Sequence, residues 1–133
     1  MALIRSKNTK LTSENDEQLT SYLWPIIKEM IKTVIENKQN LIIEGGYIPF
    51  DWKKDFTEKY LKEITYYCLV MTAKYIKEHF LEIKKYANII EERVDDSNCI
   101  LGSLIEENEY NLRMCKNYNC KYILIDDSYK INI

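Results

Sequence analysis

The stretch that most constrains this chain is Asn40-Leu41-Ile42-Ile43-Glu44-Gly45-Gly46-Tyr47-Ile48-Pro49-Phe50. An apolar run ends there in an acid and then in two of the chain's three glycines. Such a run suits a buried strand, and adjacent glycines let the backbone turn sharply where the strand stops. In open parallel sheets, ligands sit in the crevice beyond the carboxyl ends of the strands. The stretch therefore predicts a strand over 41–44 with Glu44 directed into a ligand crevice. The competing reading is a strand that ends in a solvated acid and a turn.

Helical and strand signals surround that stretch. Thr12 or Ser13 can cap a helix whose first turn holds Glu14, Asp16 and Glu17, the charge sign that suits its dipole. Leu23, Ile27, Met30, Ile31 and Val34 recur at helical spacing and predict one apolar face, with a kink or a restart at Pro25. Pro49, Phe50 and Asp51 open a second helix, Asp51 as its cap, with Trp52, Phe56, Tyr60 and Leu61 on the buried side. Ile64 to Met71 is rich in β-formers and reads as a second strand. Thr72 caps a helix carrying Ile76, Phe80 and Ile83. The tract from Tyr86 to Asn98 is the least regular and predicts a flap, with a polar bend over 93–98. Leu101, Leu104, Ile105, Leu112 and Cys115 line a further helix, Lys121 to Ile125 form a third strand, and Tyr129 to Ile133 an edge strand or tail.

Strands separated by helical connections of this length imply parallel pairing through crossovers. The expected fold is α/β, a short parallel sheet of about three strands flanked by helices, in one domain spanning residues 1–133.

Composition narrows the function. The net charge is −2 and no basic stripe stands apart from the acids, which argues against nucleic acid as a partner. No apolar run approaches the roughly 18 residues of a membrane span, and the N-terminus lacks the apolar core of a signal peptide. Cys68, Cys99, Cys115 and Cys120 are scattered, which fits reduced thiols in the cytoplasm better than a disulfide framework. Cys115 and Cys120 have four residues between them, not two, so no zinc pattern forms and no metal site is expected. His79, the sole histidine, reads as a surface or half-buried helix residue, and no Gly-x-Ser-x-Gly elbow signals a hydrolase.

Taken together, Leu3-Ile4-Arg5, a long helix, Leu-Ile-Ile-Glu-Gly, a helix, Tyr-Tyr-Cys-Leu-Val-Met, a helical flap with Arg93, and Tyr-Ile-Leu-Ile-Asp resemble the body of a P-loop kinase of the adenylate-kinase-like group. The resemblance runs from Met1 to about Asp127 and rests on element order and short signatures. It implies that Arg5 holds the acceptor's acidic group, that Glu44 and Gly45 are the acid-glycine pair, that Arg93 clamps the transferring phosphate, and that Asp126 lies near the nucleotide base. Phosphoryl transfer is mostly positioning plus stabilisation of charge on equatorial oxygens, work that guanidinium groups do well. Glu44 and Arg93 would then be catalytic, Arg5, Gly45 and Tyr47 would bind substrate, with Tyr47 stacking on a ring, and Asp126 would bind the cofactor. Each has a plainer alternative: Arg5 as a solvated terminal charge, Arg93 within an ion-pair cluster with Glu91, Glu92, Asp95 and Asp96, and Asp126-Asp127 as a turn cap.

The chain departs from the family at its defining piece. No G-x-x-x-x-G-K-[ST] loop exists, and no Gly-Lys dipeptide occurs anywhere. Backbone donors of that loop cradle the phosphates. ATP and Mg²⁺ are thus implied by the family only, and none is expected for this chain alone. The expectation is a small-molecule or nucleotide kinase relative, a truncated or inactive portion without its own ATP-binding loop. The alternative is a non-catalytic module for an anionic or phosphorylated small molecule, or for protein interaction. The family's phosphate-binding strand would lie between the strands ending in Glu44 and Met71. Without it, strands 41–44 and 65–71 are expected to pair directly, or the chain to recruit a missing P-loop segment or to self-associate.

Overall fold

The computed structural model describes residues 16–90 and 101–131. The chain divides into two compact units, Met1–Thr65 and Tyr66–Ile133. Among the described residues there are four α-helices, one 3₁₀ turn and two strands, so the protein is mixed α/β with a short parallel strand pair flanked by helices. No helix among the described residues is long and apolar enough to cross a membrane.

The first unit is built on α1, Asp16–Glu36. This helix runs through Pro25 as one element and does not restart there. Pro25 and Ser21 are both exposed, so the Ser21 carbonyl that loses its intrahelical donor faces water, which lowers the penalty of an interior proline. α1 ends in a Schellman motif. Lys38 takes the left-handed conformation (φ 55°), Gln39 donates to the Val34 carbonyl and Lys38 to the Ile35 carbonyl. Leu19 and Trp24 are the buried residues among those described in α1, while Met30, expected on the inner face, is exposed.

The expected second helix is broken in two. A 3₁₀ turn, Trp52–Asp55, is followed by extended Phe56 and then by α2, Glu58–Leu61. Asp51 precedes the turn but makes no capping bond; its carboxylate instead accepts from Lys54 at 2.6 Å. The spacing of Trp52, Phe56 and Tyr60 still brings them together. Phe56 meets the edges of Trp24 and Trp52, each at 6.0 Å between ring centres, and Tyr60 at 6.3 Å. Trp24 Nε1 donates to the Asp55 carboxylate at 2.7 Å, and the Tyr60 hydroxyl donates to Glu36. Edge-to-face rings, with the polar tips of Trp24 and Tyr60 bonded, make up the core of this unit.

Residues 41–44 have no regular secondary structure and lie in no sheet. The expected strand is therefore corrected, and so is its direct pairing with the strand that ends at Met71. An apolar run supplies side chains for burial, but without a ladder partner its backbone groups stay with solvent. Leu41 and Ile42 are accordingly exposed, Ile42 at 87%.

The second unit holds β1, Cys68–Met71, α3, Ala73–Ile90, α4, Leu101–Asn117, and β2, Tyr122–Ile125. β1 and β2 pair in parallel, Cys68 opposite Tyr122 through Met71 opposite Ile125, giving two strands where about three were expected. α4 packs on β1 and on α3. Val70, Tyr75, Ile76, Cys115, Cys120 and Ile125 are buried. A buried polar residue completes the packing: the Asn108 side-chain carbonyl accepts from the Met71 N–H at 2.9 Å, and its amide donates to the Leu104 carbonyl at 2.9 Å. α3 contains a non-helical residue, His79 (φ −118°, ψ 15°), whose ring stacks on Tyr75 at 4.4 Å and pairs with Glu82 at 3.2 Å. Tyr129 to Ile131 form no strand. The helical start of the expected flap belongs to α3, and residues 91–98 lie outside the described residues.

Candidate functional site

The strand pair of the second unit has two chemically different ends. At the carboxyl end, Thr72 follows β1 and Asp126 follows β2. Apolar β-rich runs stop where polar residues begin, and both strands stop together because they are paired in register. The Thr72 N–H continues the pairing to the Ile125 carbonyl at 3.0 Å. The Thr72 hydroxyl donates to Asp126 Oδ1 at 2.8 Å and accepts from the Tyr75 N–H at 3.2 Å, the capping bond expected of it. Lys74, in the first turn of α3, reaches Asp127 at 2.6 Å.

The ammonium of Lys74 bonds to Asp127 and lowers its carboxyl pKa, and the same bond raises the pKa of Lys74. The group thus sets a hydroxyl, an ammonium and two carboxylates at the edge where open parallel sheets bind ligands. It can donate and accept hydrogen bonds toward a polar molecule.

At the amino end lies a thiol cluster. Cys68 opens β1, Cys115 closes α4, and Cys120 precedes β2. The Cys68 and Cys115 thiols and the Tyr66 hydroxyl lie close enough to influence one another's ionisation. Burial pushes the Cys115 thiol up to about 12 and raises Cys68 and Tyr66 as well. A thiol held in its protonated form is a poor nucleophile, so these sulfurs serve packing.

The residues singled out from the sequence fare differently. Asp126 stands in the carboxyl-end group. Glu44 is exposed, in a segment without regular secondary structure, and makes no ion pair or hydrogen bond among the described residues. Gly45 takes φ 156°, which side-chain-bearing residues rarely adopt, so the backbone turn expected at the glycine pair is present. Tyr47 is half-buried in the same unit. Arg5 and Arg93 lie outside the described residues. Sequence reasoning missed Lys74, Asp127 and the second bond of Thr72. The available signal was Thr-x-Lys directly after one apolar strand and Asp-Asp directly after another.

The loop through which the family would cradle the phosphates of ATP is not in this sequence. No family model, no curated protein and no solved structure matches this chain.

Proposed function

We propose that this chain is a non-transferring relative of small-molecule kinases. In this reading it binds a small polar ligand, of the phosphorylated or hydroxyl-rich kind, at the carboxyl edge of the β1–β2 pair. The observation that carries this is the Thr72–Asp126 hydrogen bond, which ties the ends of two parallel strands where such sheets bind ligands. Ligand hydroxyls would be read by Asp126 and the Thr72 oxygen. An anionic group would be met by Lys74 and by the positive end of α3. Lacking the loop that positions a triphosphate, the chain orients a ligand and does not transfer phosphate.

Amide NMR titration with nucleosides, nucleoside mono- and triphosphates and sugar phosphates tests this reading. The resonances of Thr72, Lys74, Asp126 and Asp127 are expected to move together with one ligand class, and Asp126→Asn to weaken that response. Absence of any shift at these four residues at millimolar ligand ends the reading. Phosphoryl transfer from ATP·Mg²⁺ by the chain alone would end its non-transferring part.

A further inference from the structure

The sheet of the second unit has only two strands, and their outer edges differ. The Cys68 N–H donates to the Lys121 carbonyl and the Thr72 N–H to the Ile125 carbonyl, each at 3.0 Å. Backbone groups along a strand point alternately to its two sides, so Lys121, Ile123 and Ile125 turn toward β1, and Tyr122 and Leu124 turn away from it. The N–H and C=O groups of Tyr122 and Leu124 have no hydrogen-bond partner among the described residues. The outer edge of β1 is closed instead: the Met71 N–H, which points away from β2, is taken by the buried side chain of Asn108 at 2.9 Å. Edge strands are commonly blunted by a charge or a proline. β2 has neither, and its outward-turned residues are exposed, Tyr122 at 37% and Leu124 at 49%. A regular strand with an open apolar edge is a template for another strand.

We propose that the occupant of this edge is β2 of a second copy, paired antiparallel about a two-fold axis at Ile123. Closed two-fold pairing is the commonest way for identical chains to associate. The charges of the edge are complementary to themselves. Exposed Lys121 precedes β2, and exposed Asp126 and Asp127 follow it. An antiparallel copy therefore brings the Lys121 of each chain to the acidic end of the other. That end holds two carboxylates against the single ammonium of Lys74. The apolar side chains match as well. With the axis at Ile123, Tyr122 of each chain faces Leu124 of the other, and these are the outward-turned residues, so each pair exchanges N–H···O=C bonds. Tyr122, Ile123 and Leu124 all lie within β2, whereas an axis at Leu124 would pair Tyr122 with Asp126, in the bend beyond the strand. Cross-strand pairs of an aromatic with an aliphatic side chain favour such pairing. The sheet then runs on across the axis and stops, because Asn108 closes the β1 edge of each copy; the product is a dimer and not a filament. The pairing does not rest on the ligand reading, since it is defined by β2 and is measured with no ligand present.

Sedimentation equilibrium of the full chain over a wide concentration range tests the dimer, and a concentration-dependent monomer–dimer equilibrium is expected. In amide hydrogen exchange, Tyr122 and Leu124 should slow as the dimer forms, while Ile123 and Ile125, which face β1 in either state, should change little. Tyr122→Lys alone and Leu124→Glu alone should each weaken association about tenfold, because the two-fold repeats each contact twice. The double variant Y122K/L124E should return the association to within about threefold of the parent, since each introduced ammonium then faces an introduced carboxylate of the other chain. Circular dichroism of each variant shows whether the fold is kept, and the exchange measurement needs no substitution. A chain that stays monomeric throughout, a dimer whose Tyr122 and Leu124 amides exchange as they do in the monomer, or single variants that the double variant fails to rescue would each overturn the proposal.

Discussion

The backbone N–H of Cys120 donates to the carbonyl of Cys115 at 2.8 Å, and both side chains are buried. Cys115 is the third residue from the end of α4 and Cys120 the third residue beyond it, with Asn119 between them at φ 54°. A buried apolar contact between these two positions is a regular companion of the Schellman motif. The spacing of five that looked like a failed zinc pattern is therefore the spacing of a helix terminus.

The left-handed turn at Asn119 sets the entry of β2, so it is sensitive to side-chain shape. Asn tolerates that conformation, whereas a β-branched residue is strained in it. Asn119→Val is expected to lower stability by about 1–2 kcal/mol, and Asn119→Gly to change it little. Urea denaturation with an unchanged m-value provides the check; equal stability of the Val and Gly variants would contradict the assignment.

The thiol cluster fixes the direction of a pH effect. An unfolded chain releases thiol protons near the ordinary value of about 8.5. The folded chain keeps the Cys115 proton to about 12 and the Cys68 and Tyr66 protons above their usual ranges. Stability from these groups is complete below the ordinary thiol range and is lost as pH rises through it toward the folded values. Urea midpoints are expected to fall between pH 8 and pH 10.5, each about the stated value, and the fall should shrink in Cys115→Ala. Alkylation mapped by mass spectrometry should find Cys115 protected in the folded chain at mildly alkaline pH. Rapid labelling there would refute the burial.

Much of the second unit was legible in its residues. The β-rich run before Thr72, the cap at Thr72 and the alternation of strand with helix led to β1, α3, α4 and β2 in parallel, because crossover length leaves little other choice. Residues 41–44 were misread for a physical reason: local apolarity predicts burial, yet a strand exists only when another strand completes its hydrogen bonds. Pro25 was given too much weight because its effect depends on which way the bereft carbonyl faces. Asn108 was invisible, since nothing local distinguishes an asparagine facing solvent from one that bonds the backbone of β1.

In the first unit, the Trp24–Asp55 bond joins α1 to the 3₁₀ turn across 31 positions of sequence. Trp24 is buried, so its N–H has no ready replacement for that carboxylate. Asp55→Ala is expected to cost about 1–3 kcal/mol, the penalty of stranding a buried donor. Phe56→Ala, which removes the ring that Trp24, Trp52 and Tyr60 all touch, should cost about 3–5 kcal/mol. Chemical denaturation followed by tryptophan fluorescence reads both changes. A Phe56→Ala chain as stable as the parent would show that the aromatic cluster is not the core of this unit.

The Thr72 hydroxyl has two partners, the Tyr75 N–H and the Asp126 carboxylate, and substitutions can separate them. Thr72→Val keeps shape and removes both bonds, and should cost about 1–2 kcal/mol, mostly as loss of the helix cap. Thr72→Ser retains a hydroxyl and should recover most of that loss. Asp126→Ala removes only the second bond, which lies near solvent, so its own cost should be smaller, about 0.5–1.5 kcal/mol. If one hydroxyl links the two residues, the losses in Thr72→Val and Asp126→Ala cannot simply add, and the double variant should fall short of their sum. Strict additivity would mean that the two strand ends are not joined through Thr72. The shared edge invoked for ligand binding would then lose its physical basis.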